Sequence, residues 1–290
     1  MKPAPFTYNA PRTLAEALAI MDEHGYGAKL LAGGQSLIPV MNFRLAQPAM
    51  IVDLNGVSEL SYLTAGSDNG IRIGAMVRHS QAEHSLTCAN LAPLMSEVMP
   101  HIAHPQIRNR GTIGGSLAHA DPASELPVIM VALQARFKLE RKDSSRWVGA
   151  EDFYESLFTT ALEPEEILTE IAVPPVLAHT GYAFKELARR HGDYAQAGVA
   201  AVITLDEHGI CTRARLVFLN LGEIPMVADK AAAMMVGERP TPELIAAAAQ
   251  TASQEEIAPT ADIHASVAYK RHLAKVLGRR TLEEAVARAH

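Results

Sequence analysis

Two stretches decide the fold of this chain: LAGGQSLIP at residues 31–39 and RGTIGGSLAHADPASELP at residues 110–127. Each contains a pair of adjacent glycines, Gly33-Gly34 and Gly114-Gly115. Such glycines can adopt positive φ and turn successive N–H groups into one concavity, which holds an anion without a side chain in the way. A lone glycine pair is usually only a turn, but two similar loops suit two linked phosphates. Neither loop has the spacing G-x-G-x-x-G or G-x-x-x-x-G-K-[ST], so the sequence does not support a Rossmann fingerprint or a P-loop.

The segment around the first glycine pair has the pattern of a small, mostly parallel sheet. Thr13-Leu-Ala-Glu16 is a capping box that opens an amphipathic helix through Met21, and Gly25 is placed to end this helix. The strand-like runs Lys29–Ala32 and Met50–Asp53 follow. This alternation of helix and strand favours parallel strands.

The segments on both sides of the second glycine pair predict an antiparallel unit. IRIGAMV from Ile71 and RFKLER from Arg136 alternate polar and apolar residues, as strands with one solvated face do. Val173-Pro174-Pro175 ends the strand-like run ILTEIAV, and the chain should leave the sheet there because proline cannot donate to a ladder.

The last third of the sequence reads as strands followed by helices. VAAVITLD from Val199 and RARLVFLNLG from Arg213 are strand-like, with Gly209 in the connecting turn. Thr241-Pro242 is an N-cap followed by proline at the first helical position, and 268–287 has helical composition. The predicted fold class is therefore α+β, with domains at residues 1–55, 56–177 and 178–290.

The composition and net charge of the chain exclude several classes of function. The chain has 290 residues, 48% of them apolar, and a formal net charge of -6, so a nucleic-acid partner is not expected. Cys88 and Cys211 are too few to bind an iron–sulfur cluster, which normally takes four thiolates. The first residues lack the apolar core of a signal peptide, and the most apolar run, LPVIMVAL from Leu126, is far too short for a transmembrane segment. These features predict a cytoplasmic protein.

Further motifs follow the two glycine loops in a consistent order. They are Glu165-Glu-Ile-Leu168, Ala183-Phe-Lys185, RRHGDYA at 189–195 and YKRHLAKVLGRR at 269–280. Together with the loops, these motifs closely resemble the FAD-binding medium subunit of molybdenum hydroxylases, a family that includes the carbon monoxide dehydrogenase medium chain and the central domain of xanthine dehydrogenase. The resemblance covers essentially the whole chain.

The resemblance implies a flavoprotein fold of the vanillyl-alcohol-oxidase (PCMH) type, in which FAD lies between the first two domains. The third domain would be of the CO dehydrogenase flavoprotein type, with a small antiparallel sheet and helices. By this resemblance the loops hold the cofactor through Ala32, Gly33, Gly34, Gln35, Ser36, Leu37, Thr112, Gly114, Gly115 and Ser116. The flavin end is approached by His119, Asp121, Glu125, Leu168, Lys185 and Tyr194.

The resemblance also implies individual roles at the flavin end. Asp121 and Glu125 fall where family members contact the ribityl chain or the polar edge of the ring, and Leu168 falls where a residue packs on the ring. Lys185 aligns with a lysine near the pyrimidine end, where an ammonium group would favour the reduced flavin and raise its potential. Tyr194 matches an aromatic residue that lies against the isoalloxazine in some members.

The sequence departs from the family pattern at two positions. Ser116 stands where the second loop commonly has asparagine, so the amide contacts are lost although a hydroxyl can still donate. Glu125 stands where aspartate is frequent, so its contact is expected to be longer or mediated by water.

Other polar residues near the second loop have less specific patterns. The histidines at 101, 104 and 119 lack the i, i+4 spacing of a zinc-binding helix, and no metal site is predicted. Arg108 and Arg110 could add positive field to the phosphates, pair with acidic residues or face a partner chain. Ser36 and Ser116 have no histidine and acid partners visible in the sequence, so a hydrolase triad is not supported and no catalytic residue is assigned.

The implied function is electron transfer. A large molybdopterin subunit would hydroxylate the substrate, and two [2Fe–2S] clusters on a small subunit would pass the electrons to FAD on this chain. Two alternatives stay open, a stand-alone flavin oxidase or dehydrogenase of the same superfamily and a binding module without a redox cofactor. The sequence does not identify the organic substrate or the electron acceptor, for which NAD, oxygen, a quinone and a carrier protein all stay open.

Overall fold

The computed structural model describes residues 2–289. Its strands are β1 Thr7–Asn9, β2 Ala28–Leu31, β3 Met50–Asp53, β4 Leu63–Ala65, β5 Ile71–Gly74, β6 Arg136–Arg141, β7 Ser144–Gly149, β8 Tyr154–Ser156, β9 Thr159–Thr160, β10 Ile167–Val173, β11 Thr180–Leu187, β12 Ala197–Leu205, β13 Cys211–Leu219 and β14 Met226–Val227. Its helices are α1 Leu14–His24, α2 Leu37–Asn42, α3 His79–Glu83, α4 Leu86–Leu91, α5 Pro93–Val98, α6 Pro105–Arg108, α7 Ile113–His119, α8 Glu125–Ala132, α9 Ala150–Phe153, α10 Asp229–Met235, α11 Pro242–Glu255 and α12 Val267–Arg288.

The first sheet is parallel, as the alternation of helix and strand predicts. Its order is β1-β3-β2, and α1 packs on it through Ala17, Leu18 and Met21. The side chain of Thr13 caps α1 by accepting from the Glu16 N–H at 3.2 Å, whereas the Glu16 carboxylate accepts from the Arg12 N–H at 2.7 Å. The capping box is therefore completed one residue earlier than predicted. This sheet places the end of β2, and hence the first glycine pair, at the edge of the N-terminal unit.

The second sheet is antiparallel, with the order β4-β5-β10-β6-β7. Beside it lies α8, whose residues are all buried. This helix is formed by the most apolar run of the sequence, and it is enclosed because it packs between the second unit and the strands of the third. Phe137 and Phe153 meet edge to face at 4.8 Å between ring centroids in the same core.

The third sheet is also antiparallel, with the order β11-β12-β13-β14. Its two faces serve different cores because side chains alternate along each strand. On β11, Ala183 faces the core formed with α12, while Tyr182 and Phe184 face the core shared with α8. The observed architecture confirms the α+β class. The domain bounds at residues 55 and 177 stay predictions, although the three sheets lie within residues 7–53, 63–173 and 180–227.

The described residues include neither a helix suited to cross a membrane nor a cluster of metal-binding side chains. No helix within residues 2–289 combines the length and the apolar character that a membrane crossing needs. Nowhere in the same range do three or more His, Cys, Asp or Glu side chains group closely enough to hold a metal ion.

Candidate cofactor cleft

A cleft of about 1000 Å³ lies where the first two units meet, and the third unit closes one end. Both glycine loops line it, together with the first residues of β10 and the Gly192–Tyr194 turn. This volume is at the upper end of the roughly 300–1,000 Å³ found for small-molecule sites, which suits an extended ligand of dinucleotide size.

The first loop exposes a run of backbone donors to the cleft. Gly34 has a φ of +73°, which lets the chain turn sharply from β2 into α2. The N–H groups of residues 33–36 donate to no protein group within residues 2–289. The side-chain amide of Gln35 donates to the Gly33 carbonyl at 3.0 Å and fixes the turn. The loop thus offers consecutive free N–H groups, which is the arrangement that binds an anion.

The two loops are in direct contact through Gly33. A Cβ atom at this position would lie 2.5 Å from the Arg110 carbonyl oxygen and 2.7 Å from the Gly111 Cα, so only glycine fits. Gly115 is similarly restricted, since a Cβ there would lie 2.6 Å from the Thr112 hydroxyl and 3.1 Å from the Ala32 Cβ. The glycines therefore let the two loops approach each other closely enough to hold one ligand between them.

The second loop is held by a buried histidine on α3. The Nε2 of His79 lies 2.9 Å from the Thr112 carbonyl, which can only accept, so Nε2 carries the proton. Burial lowers the pKa of His79 to about 4, and the ring is therefore neutral at physiological pH. The Thr112 hydroxyl accepts from the Gly115 N–H at 3.1 Å and keeps its own proton for another partner. These contacts fix the loop before any ligand binds.

Acidic side chains also line the cleft. Glu125, at the start of α8, is buried, and burial together with the negative charge of Glu186 raises its pKa to about 7. Asp121 lies four residues earlier, where its carboxylate accepts from the Ala123 N–H at 2.9 Å. The imidazole of His101 meets the Glu186 carboxylate at 3.2 Å, and this hydrogen bond raises the pKa of His101. One cleft thus contains both the free N–H groups and acidic side chains.

Comparison with known proteins decides what occupies such a cleft. Residues 4–176 match the family described as the FAD binding domain in molybdopterin dehydrogenase. Residues 182–285 match the CO dehydrogenase flavoprotein C-terminal domain. The chain belongs to the FAD-binding medium subunits of the molybdenum hydroxylases. As a member of this family it binds FAD and is a subunit of an oxidoreductase.

Individual relatives of this medium subunit match over nearly its full length. The 6-hydroxypseudooxynicotine dehydrogenase complex subunit alpha of Paenarthrobacter nicotinovorans is 40% identical over 289 residues, which is 100% of this chain and 97% of the relative. Among solved structures, carbon monoxide dehydrogenase from Hydrogenophaga pseudoflava superposes with a TM-score of 0.96 at 37% identity, covering 99% of both chains. Quinoline 2-oxidoreductase from Pseudomonas putida 86 superposes with a TM-score of 0.94 at 36% identity, covering 100% of this chain and 99% of that one.

The residues of the medium subunit fit FAD by the chemistry of their donors. FAD carries a pyrophosphate, and both glycine loops meet at the part of the cleft where the free N–H groups and the Thr112 hydroxyl lie. When bound, FAD supplies the redox chemistry, and the protein supplies position and electrostatics. The loops would hold the pyrophosphate, and the acidic side chains would face the rest of the cofactor.

The structure gathers nearly all the predicted cofactor residues in this cleft. Its lining includes Ala32, Gly33, Gly34, Gln35, Ser36, Leu37, Thr112, Gly114, Gly115, Ser116, His119, Asp121, Glu125, Leu168 and Tyr194. The Ser116 hydroxyl lies 3.0 Å from that of Ser124, so it is already engaged within the protein. The ring of His119 packs against Phe158 at 5.2 Å. Tyr194 is 69% exposed at the rim of the cleft. Their roles toward FAD stay predictions.

Lys185 is the exception, because it does not line the cleft in this structure, and its role toward FAD stays a prediction. Its ammonium group forms an ion pair with the Glu284 carboxylate on α12. The reason is strand parity. Lys185 lies on the same face of β11 as Ala183, which packs toward α12, whereas the next residue, Glu186, lies on the face toward α8.

Of the three possibilities that the sequence leaves open for Arg108, the structure shows pairing with an acidic residue. The guanidinium of Arg108 is buried and forms two bonds to the Glu83 carboxylate, at 2.7 and 2.9 Å, and one to the Ile102 carbonyl at 3.0 Å. It therefore fixes the segment before the second loop and has no free donor fork for a phosphate. Arg110 is exposed, and its carbonyl accepts from the Arg78 guanidinium.

Three residues of the site were missed at the sequence level. Lys29 lines the cleft two residues before the end of β2 and is the only lysine or arginine among the described lining residues. Because this lysine is so close to a glycine loop in the sequence, a position near a bound anion could have been predicted for it. His79 and Glu186 carry no such signal, because their positions depend on contacts with residues far away in the sequence.

Proposed function

We propose that this chain is the electron-transfer subunit of a heterotrimeric molybdenum hydroxylase. Substrate is hydroxylated on a large molybdopterin subunit, and electrons pass through the [2Fe–2S] clusters of a small subunit to the FAD of this chain and then to an external acceptor. The observation that carries the proposal is the pair of glycine loops that meet through Gly33 with four free N–H groups facing one cleft. Membership of the medium-subunit family supports the same assignment.

This chain contributes the binding of FAD and the electrostatic environment of the cofactor. Cys88 and Cys211 are both buried and unpaired, so neither is arranged as a cluster ligand. Because thiols of this kind persist in reducing compartments, we also propose that the protein works in the cytoplasm. Cell fractionation with an antibody to the chain checks this location. Recovery from an extracytoplasmic fraction would contradict it.

The electron path is tested on the assembled complex. FAD is removed from the purified heterotrimer by mild chaotrope, and substrate is then added anaerobically. We expect the cluster absorbance still to bleach, because substrate oxidation occurs on the other subunits, while reduction of the external acceptor is lost. Adding FAD back should restore acceptor reduction.

Two results would overturn the proposal. One is acceptor reduction at the full rate without FAD, and the other is substrate hydroxylation by this chain purified alone. The visible spectrum of the isolated chain separates the remaining alternatives. A chain that binds no flavin would be a module without a redox cofactor, whereas a flavin that substrate reduces without partners would indicate a stand-alone oxidase or dehydrogenase.

A further inference from the structure

A cluster of three ionisable side chains connects the cleft to solvent. Glu125 lines the cleft, Glu186 lies behind it on β11, and His101 follows α5. The His101 Nδ1 lies 3.2 Å from Glu186 Oε1. The side chain of Glu186 is 7% exposed and that of His101 is 36% exposed. The burial of these groups therefore decreases from the cleft and Glu186 toward the surface at His101.

The cluster has an unmade hydrogen bond where a proton would fit. Glu186 Oε2 is buried and has no partner within residues 2–289. No side chain of that range bonds to the Glu125 carboxylate either, and the negative charge of Glu186 adds to the cost of ionising Glu125 in its buried position. A proton held on Glu125 removes this repulsion and leaves Glu186 ionised beside His101. The net charge of the three residues is then balanced by a protonated His101.

We propose that Glu125, Glu186 and His101 form a proton path that stores one proton and delivers it to the FAD cleft when the cofactor takes up electrons. This inference rests on the proposed function. The electrons come from the iron–sulfur partner, and the proton comes from the Glu125 carboxyl, whose O–H bond breaks. Glu125 recovers a proton from Glu186, which takes it from the His101 imidazolium, and solvent reprotonates His101. The balance is one proton consumed from solvent for each proton that the reduced flavin gains.

The titratable groups around the path are expected to shift the pKa values of its members. Asp121 and Tyr194, from the cleft side, face Glu125, and Glu97 on α5 faces His101. Both burial and the charge of Glu186 raise the pKa of Glu125 to about 7, and the hydrogen bond to Glu186 raises that of His101. The proton affinities of both ends are thus raised above their ordinary values, and the pKa of Glu125 lies near neutral pH, where a proton donor is most effective.

The test follows electrons and protons separately in the FAD-loaded chain. The flavin is photoreduced in weak buffer, its absorbance reports the electrons, and a pH-indicator dye reports protons taken from solvent. In the wild type, proton uptake should keep pace with reduction. In Glu186→Gln it should lag by about a hundredfold, at the low end of what a positioned proton donor contributes. A merely structural role for Glu186 would not separate the two signals.

Matched variants keep the result decisive. Glu207→Gln removes an acid that is 84% exposed and acts on none of the three groups of the path, and it should show no lag. If Glu186→Gln does not fold, His101→Asn replaces it, because this half-exposed position tolerates a polar side chain and breaks the path at its outer end. Proton uptake that keeps pace with reduction in the path variants would overturn the proposal.

A measurement without FAD separates this proposal from the proposed function. Infrared spectra of the chain alone at pH 7 should show the C=O band of a protonated carboxyl that disappears in Glu125→Gln. Absence of that band in the wild type contradicts the stored proton. A chain that has the band but binds no FAD would contradict the proposed function instead.

Discussion

The contact between the two glycine loops predicts that Gly33→Ala loses FAD affinity more than it loses stability. Gly33 does not have a positive φ, so alanine is permitted by the backbone and the effect comes from the added Cβ alone. That atom would lie 2.5 Å from the Arg110 carbonyl oxygen, where an ordinary contact begins at 3.4 Å. The loops must therefore separate by roughly 0.9 Å, and overpacking of this kind typically costs about 1–3 kcal/mol.

The loss of affinity follows from the donors that the loops share. A hydrogen bond to a charged group is worth roughly 1.5–3 kcal/mol, so displacing one donor from the pyrophosphate should weaken FAD binding about 10- to 150-fold. Titration of the apoprotein, followed by quenching of flavin fluorescence, measures the Kd. Urea unfolding of the same samples measures the stability.

Gly27→Ala is the matched control, because a Cβ there has no atom within 4 Å and Gly27 does not line the cleft. It should bind FAD as the wild type does. If Gly33→Ala is too unstable to titrate, Gly115→Ala replaces it, since its nearest contact is the movable Thr112 hydroxyl. Wild-type affinity in a folded Gly33→Ala chain would refute the idea that both loops grip one ligand.

Three further outcomes follow from the structure. Lys185→Met should leave the FAD affinity and the flavin potential unchanged. It should lower the stability by no more than about 1 kcal/mol, because the partly exposed ammonium group of Lys185 pairs with Glu284. A shifted potential in spectroelectrochemistry would contradict this. The folded pKa of Glu125, about 7, is above its usual 4.5, so its contribution to stability is complete below pH 4.5 and is lost as the pH rises through 7. Glu125→Gln should therefore be more stable than the wild type at alkaline pH by up to roughly 3 kcal/mol in urea unfolding, and an unchanged pH dependence would contradict this. Arg108→Ala should cost about 3–5 kcal/mol and lower the Tm, because it leaves the buried Glu83 carboxylate unpaired; a Tm near that of the wild type would rule out a structural role.

Features encoded by neighbouring residues were predictable from the sequence. The helix that Thr13 caps, the two strands that follow it and the two glycine loops depend on signals within a few residues, and all were found at or near their predicted positions. The start of α11 after Thr241 is of the same kind. Local hydrogen bonding and backbone freedom determine these features, so no knowledge of the fold was needed.

Features that join distant parts of the chain were not predictable. Glu186 meets His101 across 85 residues, and His79 meets the Thr112 carbonyl across 33. No local pattern specifies such pairs, because they exist only once the third sheet has packed on α8 and α3 has packed beneath the second loop. The resemblance to a family located the cleft, but it did not show which of its polar groups lack a partner.

The alternation of side chains along β11 changes which charge is expected near the flavin. The family resemblance implies a cation near the ring, but on β11 Lys185 points toward α12 and Glu186 points toward α8, where its charge raises the pKa of Glu125. A negative charge near the ring opposes the charge gained on reduction and lowers the potential, while a protonated carboxyl does not. Since the Glu125 pKa is about 7, the potential should fall more steeply with pH across neutrality than in Glu125→Gln. Strand parity therefore turns the fixed positive charge of Lys185 away from the cleft, and the cleft carries on Glu125 a negative charge that depends on pH.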